Sequence, residues 1–145
     1  MTMKISTGAR NKLMDTGSMR SVFAAGFIKI YSGSPPADAD AAVTGTLLAT
    51  ISISSGGTGI NFDTSAASGV LSKAPAETWS GVCAAGTAGY FRHVAAGDTG
   101  VSSTTEARMQ GGVATLGSDL NLSSVTLVGG ATQTIDFYSV TLPGA

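Results

Sequence analysis

Apolar and polar residues alternate with a period of two from residue 27 onward, which is the pattern of strands that bury one face. Residues 27–31 place Ile28 and Ile30 on one face, and residues 46–53 alternate in the same way. Further strands are predicted over residues 60–62, 70–71, 78–84, 90–95, 108–115, 121–128 and 134–142. Glycine- and proline-rich turns separate them at the short spacing of a sandwich or barrel, so we expect roughly seven to nine antiparallel strands. Residues 78–84 and 90–95 are expected to pair across the turn at 86–89.

The first 26 residues have a helical pattern instead. Ser6 or Thr7 can cap a first helix, Gly17 interrupts the pattern, and Ser18 can cap a second turn. Gly26 is expected to end this segment in a left-handed conformation. One bent helix and two short helices both fit. We therefore expect a single domain with a helical N-terminal arm over residues 1–26 and a mainly β body over residues 27–145, either an antiparallel β-sandwich or a jelly-roll-like barrel.

The composition excludes several classes of protein. Glycine, alanine, serine and threonine make up more than half of the 145 residues, and only 12% are charged. No segment approaches the roughly 18 consecutive apolar residues of a membrane span, and charges near the N-terminus argue against a signal peptide, so no membrane partner is expected. The lone Cys83 excludes an internal disulfide, and one histidine with one cysteine cannot form a His/Cys zinc site.

Charge is distributed unevenly along the chain. Residues 1–30 hold five lysines and arginines against Asp15 alone, a net charge of +4. Residues 31–145 hold three against eight acids, a net charge of −5. This asymmetry indicates either a basic end that meets an acidic partner or a solvated helix face. A pI near 5.6 argues against general binding of nucleic acid.

The candidate chemistry is sparse. His93 is the only histidine and Cys83 the only thiol, so His93 with Cys83 or with a serine is the only familiar nucleophilic arrangement. A lone histidine beside aromatic residues in a strand is more typical of a surface or an interface, so no catalytic site is predicted. The turn aspartates lack calcium-loop spacing and are explained by bonds to the turn backbone. We expect no metal and no cofactor.

A series of stretches covers nearly the whole chain. They are KISTGARN at 4–11, IKIYSG at 28–33, PPADADA at 35–41, GVLSK at 69–73, Trp79, YFR at 90–92, DLNL at 119–122 and QTIDF at 133–137. In this order they resemble small proteins encoded among the virion genes of tailed bacteriophages. None of the stretches is a catalytic motif, and what the resemblance implies is a structural role.

Within that class, the outline is similar to that of capsid decoration (cement) proteins, which are small β-rich oligomers, commonly trimers, on the outside of the head. The resemblance implies the major capsid protein of the same phage as partner, and a location on the capsid exterior of the virion after synthesis in the host cytoplasm. We expect the N-terminal arm to make the first contacts, through four cations and two apolar anchors: Met3, Lys4, Ile5, Arg10, Lys12 and Arg20. The alternatives are a tail, connector or fibre component, and a carbohydrate- or receptor-binding sandwich that uses Trp79 and Tyr90.

Overall fold

The computed structural model describes residues 3–144, which form two short helices and eleven strands. In chain order the elements are β1 Lys4–Ile5, α1 Thr7–Asp15, α2 Met19–Val22, β2 Phe27–Ser32, β3 Leu47–Ile53, β4 Val70–Ser72, β5 Trp79–Val82, β6 Gly86–Val94, β7 Arg108–Ala114, β8 Leu120–Asn121, β9 Thr126–Leu127, β10 Thr132–Ile135 and β11 Ser139–Thr141. The predicted mainly β fold with a short helical N-terminal segment is confirmed.

The strands form two layers that share β3. One layer has the order β1-β7-β6-β2-β3, and the end of β3 continues into a second layer through β5 to β10. The hairpin of β4 and β11 forms a separate two-stranded sheet. Pairing is antiparallel except between β7 and β8. Because the path runs from β1 to β10 and these two strands do not pair, the described chain is an open β-sandwich, and the closed-barrel alternative is wrong.

The space between the layers is filled by aliphatic and aromatic side chains. Ile28 and Ile30 of β2 are completely buried, as the alternation predicted, and their cross-strand neighbour Phe91 is buried beside them. From the opposite side Tyr138 packs edge-on against Phe91, with ring centroids 6.1 Å apart. Burial of such rings supplies most of the favourable free energy of a small core.

The other face of the first layer is also buried, which the sequence pattern did not predict. Arg92 and Arg108 are both 0% exposed, although they lie on the face opposite the hydrophobic core. The loop that connects β2 to β3 covers them and supplies backbone carbonyls. Arg92 Nη2 donates to the carbonyl of Ala41 at 2.8 Å, and its Nε donates to Gln110 Oε1 at 2.8 Å. The Gln110 amide in turn donates to the Pro36 carbonyl at 2.9 Å.

Arg108 is held by a second loop as well. Its Nε forms an ion pair with the buried carboxylate of Asp98, and its Nη2 donates to the Val101 carbonyl at 2.6 Å. The other oxygen of Asp98 accepts from the Gly100 amide at 2.7 Å, which is the turn role predicted for this aspartate. The two loops over this face are therefore fixed largely by buried guanidinium groups, beside the stacked and buried rings of Tyr31 and Tyr90 on the same face.

Residues 3–26 pack directly against the sandwich. β1 pairs with β7, and the Ser6 amide donates to the Arg108 carbonyl at 2.9 Å. Ser6 caps α1 and Ser18 caps α2, so the chain forms two short helices. The left-handed residue that follows α2 is Ala25, and Gly26 does not have a positive φ, so the predicted left-handed role of Gly26 is wrong. Gly26 is needed instead because a Cβ there would lie 2.3 Å from the Val94 carbonyl oxygen.

Four strand predictions are wrong. The segment 60–62 forms isolated bridges at Ile60 and Phe62 instead of a strand. The segments 78–84 and 90–95 do not pair, because β5 lies in the second layer between β3 and β10, and β6 lies between β2 and β7. The segment 121–128 contains the last residue of β8 and all of β9 instead of one strand. The segment 134–142 is divided between β10 and β11, which belong to different sheets, so the chain must leave the first at residues 136–138.

The Asp98–Arg108 pair leads to a stability prediction. In Asp98→Ala the guanidinium stays buried without its carboxylate, so we expect the free energy of unfolding to fall by about 3–5 kcal/mol. Asp98→Asn, which keeps an oxygen for Gly100, is expected to lose less. The control Asp15→Ala removes an exposed acid and is expected to change stability by at most about 0.5 kcal/mol. Urea denaturation measures the three values, and equal effects at positions 98 and 15 would contradict the assignment.

Candidate functional site

The exposed positive charge of the described residues lies entirely in the N-terminal segment. Of the eight lysines and arginines, four are exposed, and they are the four cations singled out from the sequence: Lys4, Arg10, Lys12 and Arg20. Lys29 and Lys73 are half-buried. Because Arg92 and Arg108 are buried, the body presents even less positive charge than its sequence suggests. The separation of positive from negative charge is therefore stronger on the protein surface than along the sequence.

The start of α1 is fixed to the loop that covers the buried arginines. The Thr7 amide and hydroxyl donate to the two carboxylate oxygens of Asp40, at 2.8 and 2.6 Å. The Thr7 hydroxyl bond holds the pKa of Asp40 below its usual range. Arg10 Nη2 donates to Thr7 Oγ1 at 2.9 Å, so the Arg10 guanidinium lies next to this helix start while its side chain remains exposed. Lys12 lies two residues further along α1, on nearly the opposite side of the helix, and is exposed.

The first three described residues contact the body of the protein. Met3 and Ile5 are half-buried and pack against the hydrophobic core, and Ile5 pairs with Met109 of β7. Lys4 pairs with Gln110, and its Nζ donates to the Ala37 carbonyl. These three side chains are therefore committed, at least in part, to contacts within the chain. Lys12 and Arg20 make no side-chain hydrogen bond within residues 3–144, and the bond of Arg10 to Thr7 stays within α1.

A groove of about 380 Å³ lies beside Arg20. Its floor is mainly apolar and combines Met19 of α2 with Leu71 of β4 and Val140 of β11. Leu142, which is 66% exposed, forms part of its edge. The groove thus combines an apolar floor with a single cationic side chain at its rim.

His93 is a core residue. It is 1% exposed, and its ring lies 5.1 Å from that of Phe23 and 5.3 Å from that of Phe62. Its Nδ1 lies 3.1 Å from the Tyr138 hydroxyl, and its buried Nε2 has no hydrogen-bond partner among residues 3–144. Burial lowers the pKa of His93 to about 3, because the imidazolium would lose its hydration. The expectation of a surface or interface position is wrong.

The other candidate residues are buried too. Cys83 lies at 6% exposure, and burial raises the pKa of its thiol, which disfavours the reactive thiolate. Trp79 is completely buried and donates its indole N–H to Glu77 at 2.8 Å. Tyr90 is also completely buried, with its hydroxyl bonded to the backbone of Thr44. Trp79 and Tyr90 therefore form no exposed stacking platform, and the alternative that used them for carbohydrate binding is wrong about these two residues.

Acidic side chains do not converge in the part of the chain that the structure describes. No group of three or more histidine, cysteine, aspartate or glutamate side chains is placed to hold a metal ion there. Asp38 accepts from the amides of Asp40 and Ala41, and Asp119 accepts from the amide of Gly112. Asp38 therefore has the turn role that the pattern predicted, whereas Asp119 binds an amide of β7 instead of the backbone of its own turn. Neither helix between residues 3 and 144 is long and apolar enough to cross a membrane.

Sequence reasoning missed an exposed aromatic residue, Phe137, which lies between two clefts on the segment that joins β10 to β11. It is 92% exposed, whereas Tyr138 beside it is 5% exposed. Ile135 and Tyr138 are both buried while Asp136 and Phe137 between them are exposed, so the alternation of β10 ends at this segment. The two adjacent aromatic residues in the sequence were the available signal, but they do not indicate which ring faces outward.

Comparison of the chain with protein-family models, with curated proteins and with solved structures gives no match.

The environment of His93 predicts that stability depends on pH. Its pKa is about 3 in the folded chain against 6.5 for the free side chain, so between these values the unfolded state binds the additional proton. The free energy of unfolding therefore falls as the pH falls, by about 2 kcal/mol between pH 7.5 and pH 5. Chemical denaturation at a series of pH values measures this slope. His93→Phe keeps an aromatic ring without the titration and is expected to lose most of the slope. Parallel curves for the two proteins would rule out His93 as its source.

Proposed function

We propose that this chain is a structural component of a tailed-phage virion that binds the outer face of the head and joins adjacent shell subunits. The observation that carries the proposal is the segregation of charge: every exposed cation among residues 3–144 lies before residue 21, on a body that is otherwise neutral to acidic. Such a surface attracts an acidic partner and guides its approach. The sequence resemblance to small virion proteins supplies the class of partner.

The helices of the N-terminal segment present this charge in a fixed arrangement. α1 is capped by Ser6 and fixed to the body through Thr7 and Asp40, so Arg10 and Lys12 are displayed on an ordered support. Side chains on an ordered support lose less conformational entropy when they bind than side chains on a mobile tail. The shell-binding surface is accordingly assigned to Arg10, Lys12 and Arg20.

The groove beside Arg20 provides the apolar part of the same surface. An apolar residue of the shell protein fits against Met19, Leu71 and Val140, while a neighbouring carboxylate pairs with Arg20. Apolar contacts contribute free energy in proportion to the area they bury, and the charge pair mainly sets orientation and partner choice. The partner segment is therefore one in which an acidic residue lies next to an apolar one.

Binding of this kind stabilises the shell by mass action. A protein that binds the assembled lattice more tightly than free subunits shifts the equilibrium toward assembly, and each copy needs only a modest affinity because many copies act together. Self-association into trimers on the shell fits this arrangement, since it brings several basic surfaces to neighbouring subunits at once. This mode of action requires no bond-making or bond-breaking chemistry.

The charge assignment predicts a defined loss of binding. The triple variant Arg10→Ser, Lys12→Ser and Arg20→Ser is expected to bind heads assembled without this chain about tenfold more weakly, and to show a weaker dependence on salt. Co-sedimentation with purified heads at low and moderate salt measures both. Asp15→Ser, an exposed change of opposite sign on α1, is the matched control and is expected to bind at least as well as the original chain.

Three results would contradict the proposal. Unchanged occupancy of the triple variant at both salt concentrations removes the assigned surface. A single ring of copies at the head–tail junction, seen by imaging intact particles, favours the connector alternative over the shell. Absence of the chain from intact particles removes the virion role altogether.

A further inference from the structure

Phe137 has an unusual position for a large apolar side chain. The ring is 92% exposed, and it forms a wall shared by two adjacent clefts of about 370 and 390 Å³. Single exposed apolar residues are common on protein surfaces and need no explanation by themselves. Two clefts on either side of one exposed ring are a more specific feature, because a ligand in each can contact a face or an edge of that ring.

The first cleft runs along the open edge of β10. It is lined by three consecutive residues of this strand, 132–134, and by Asn121, Ser123 and Asp136. The side-chain oxygen of Asn121, Oδ1, accepts from the Ser118 amide, which leaves the side-chain NH₂ group available. The side-chain Nε2 of Gln133 donates to the Thr134 carbonyl, which leaves Oε1 of Gln133 available. The Asp136 carboxylate is exposed and makes no hydrogen bond or ion pair within residues 3–144. The cleft thus offers both a hydrogen-bond donor and hydrogen-bond acceptors to a ligand.

The second cleft is lined by Ser72, Lys73, Pro75 and Ser139 in addition to the segment 136–138. The Lys73 Nζ donates to the carbonyls of Ala74 and Glu77 and lies 5.6 Å from the centroid of the buried Trp79 ring, so it is directed toward the protein itself. With Asp136, this cleft therefore has one charge of each sign, whereas the first cleft has only the negative charge of Asp136. A neutral ligand fits this pair of clefts better than an anionic one.

The backbone beside Phe137 is fixed by the buried neighbour Tyr138. Tyr138 bonds to His93 through its hydroxyl, and its carbonyl accepts from the Lys73 amide at 2.8 Å. Residues on both sides of the segment belong to strands, Ile135 to β10 and Ser139 to β11. A ligand that contacts the ring therefore has to order only its side-chain torsions and not the backbone.

We propose that the two clefts beside Phe137 bind neighbouring pyranose units of a neutral polysaccharide. A pyranose ring has an apolar face of C–H groups, which packs against an aromatic ring, and an edge of hydroxyls that both donate and accept hydrogen bonds. Asp136 and Gln133 Oε1 accept from such hydroxyls, and the Asn121 NH₂ group donates to them. Aromatic contact combined with a few convergent polar groups is the usual composition of a small-ligand site.

This site shares no side chain with the shell-binding surface. The residues assigned to the shell and its groove are absent from both clefts, although the groove and the second cleft both use the β4–β11 hairpin, through Leu71 and Val140 in the groove and Ser72 and Ser139 in the cleft. The inference does not rest on the proposed virion role, since a chain that binds no shell can still bind a sugar through Phe137.

The test begins with the full chain on an array that carries neutral hexose and N-acetylhexosamine oligosaccharides beside uronic-acid oligosaccharides. Binding to neutral oligosaccharides of at least two units, with weaker binding to the acidic ones, is the expected result. The affinity for the best array ligand is then measured by calorimetry. Phe137→Ala is expected to lower it at least tenfold, and Phe137→Trp, which enlarges the ring, is expected to keep it or raise it.

Two further variants test separately the effect of the Asp136 charge and the effect of removing an exposed apolar side chain outside the clefts. Asp136→Asn is expected to reduce the discrimination against uronic acids. Leu116→Ala is the matched control, because Leu116 is 87% exposed and lines neither cleft, and it is expected to leave the affinity unchanged. Since the Phe137 ring is exposed, unfolding midpoints close to that of the original chain are expected for both alanine variants. No binding to any neutral oligosaccharide, or equal binding by Phe137→Ala, would overturn the proposal.

Discussion

Burial of two arginine side chains on the outer face of the first layer is the constraint on which the rest of this structure depends. A guanidinium group removed from water is costly unless its N–H groups find acceptors. Arg92 and Arg108 find most of them in backbone carbonyls of the β2–β3 loop, in Gln110 and in the carboxylate of Asp98, whereas Arg92 Nη1 has no partner within residues 3–144. The loop carries two prolines and several alanines, so it has little side-chain bulk and its carbonyls can approach closely. Its polar backbone therefore covers the buried arginines in place of an apolar layer, next to the buried rings of Tyr31 and Tyr90.

The same loop orders the N-terminal segment. Asp40, which lies in this loop, binds the first residue of α1, and the Ala37 carbonyl accepts from Lys4. The loop that the buried arginines fix therefore also positions the N-terminal segment, which carries the exposed cations. Positive charge in this protein has two separate uses: two arginines organise loops inside the fold, and the exposed cations at the N-terminal end form the surface proposed to meet an acidic partner.

The core between the layers has a comparable effect at the opposite edge. His93, Tyr138 and Trp79 belong to one aromatic cluster, in which His93 is uncharged. Ile135 and Tyr138 are both buried, so the two residues between them, Asp136 and Phe137, form the exposed part of the segment that joins β10 to β11. The exposed ring proposed to contact sugars thus follows from the burial of the residues on either side of this segment. The two proposed surfaces use different side chains and are separable by mutation, although both include residues of the β4–β11 hairpin: Leu71 and Val140 in the groove, Ser72 and Ser139 in the second cleft.

Much of the fold follows from local sequence. Alternation predicted Ile28 and Ile30 in the core. Serines at positions 6 and 18 cap the helices because their hydroxyls accept hydrogen bonds from free amides. In the turns, Asp38 and Asp98 accept from the backbone amides that follow them. The four exposed cations were also identified from sequence, since long charged side chains near helices usually stay in water. Strand pairing was not predictable in this way. The segment 78–84 can pair with any strand of suitable length, and only the complete packing places β5 between β3 and β10.

The burial of individual polar residues was decided by tertiary structure alone. Arg92 and Lys29 are cross-strand neighbours on one face and look equivalent in the chain, yet the loop covers Arg92 completely and leaves Lys29 half-buried. His93 was expected at a surface or an interface and is buried for the same reason. Periodicity reports which side of a strand a residue occupies, whereas exposure depends on what distant segments place over that side.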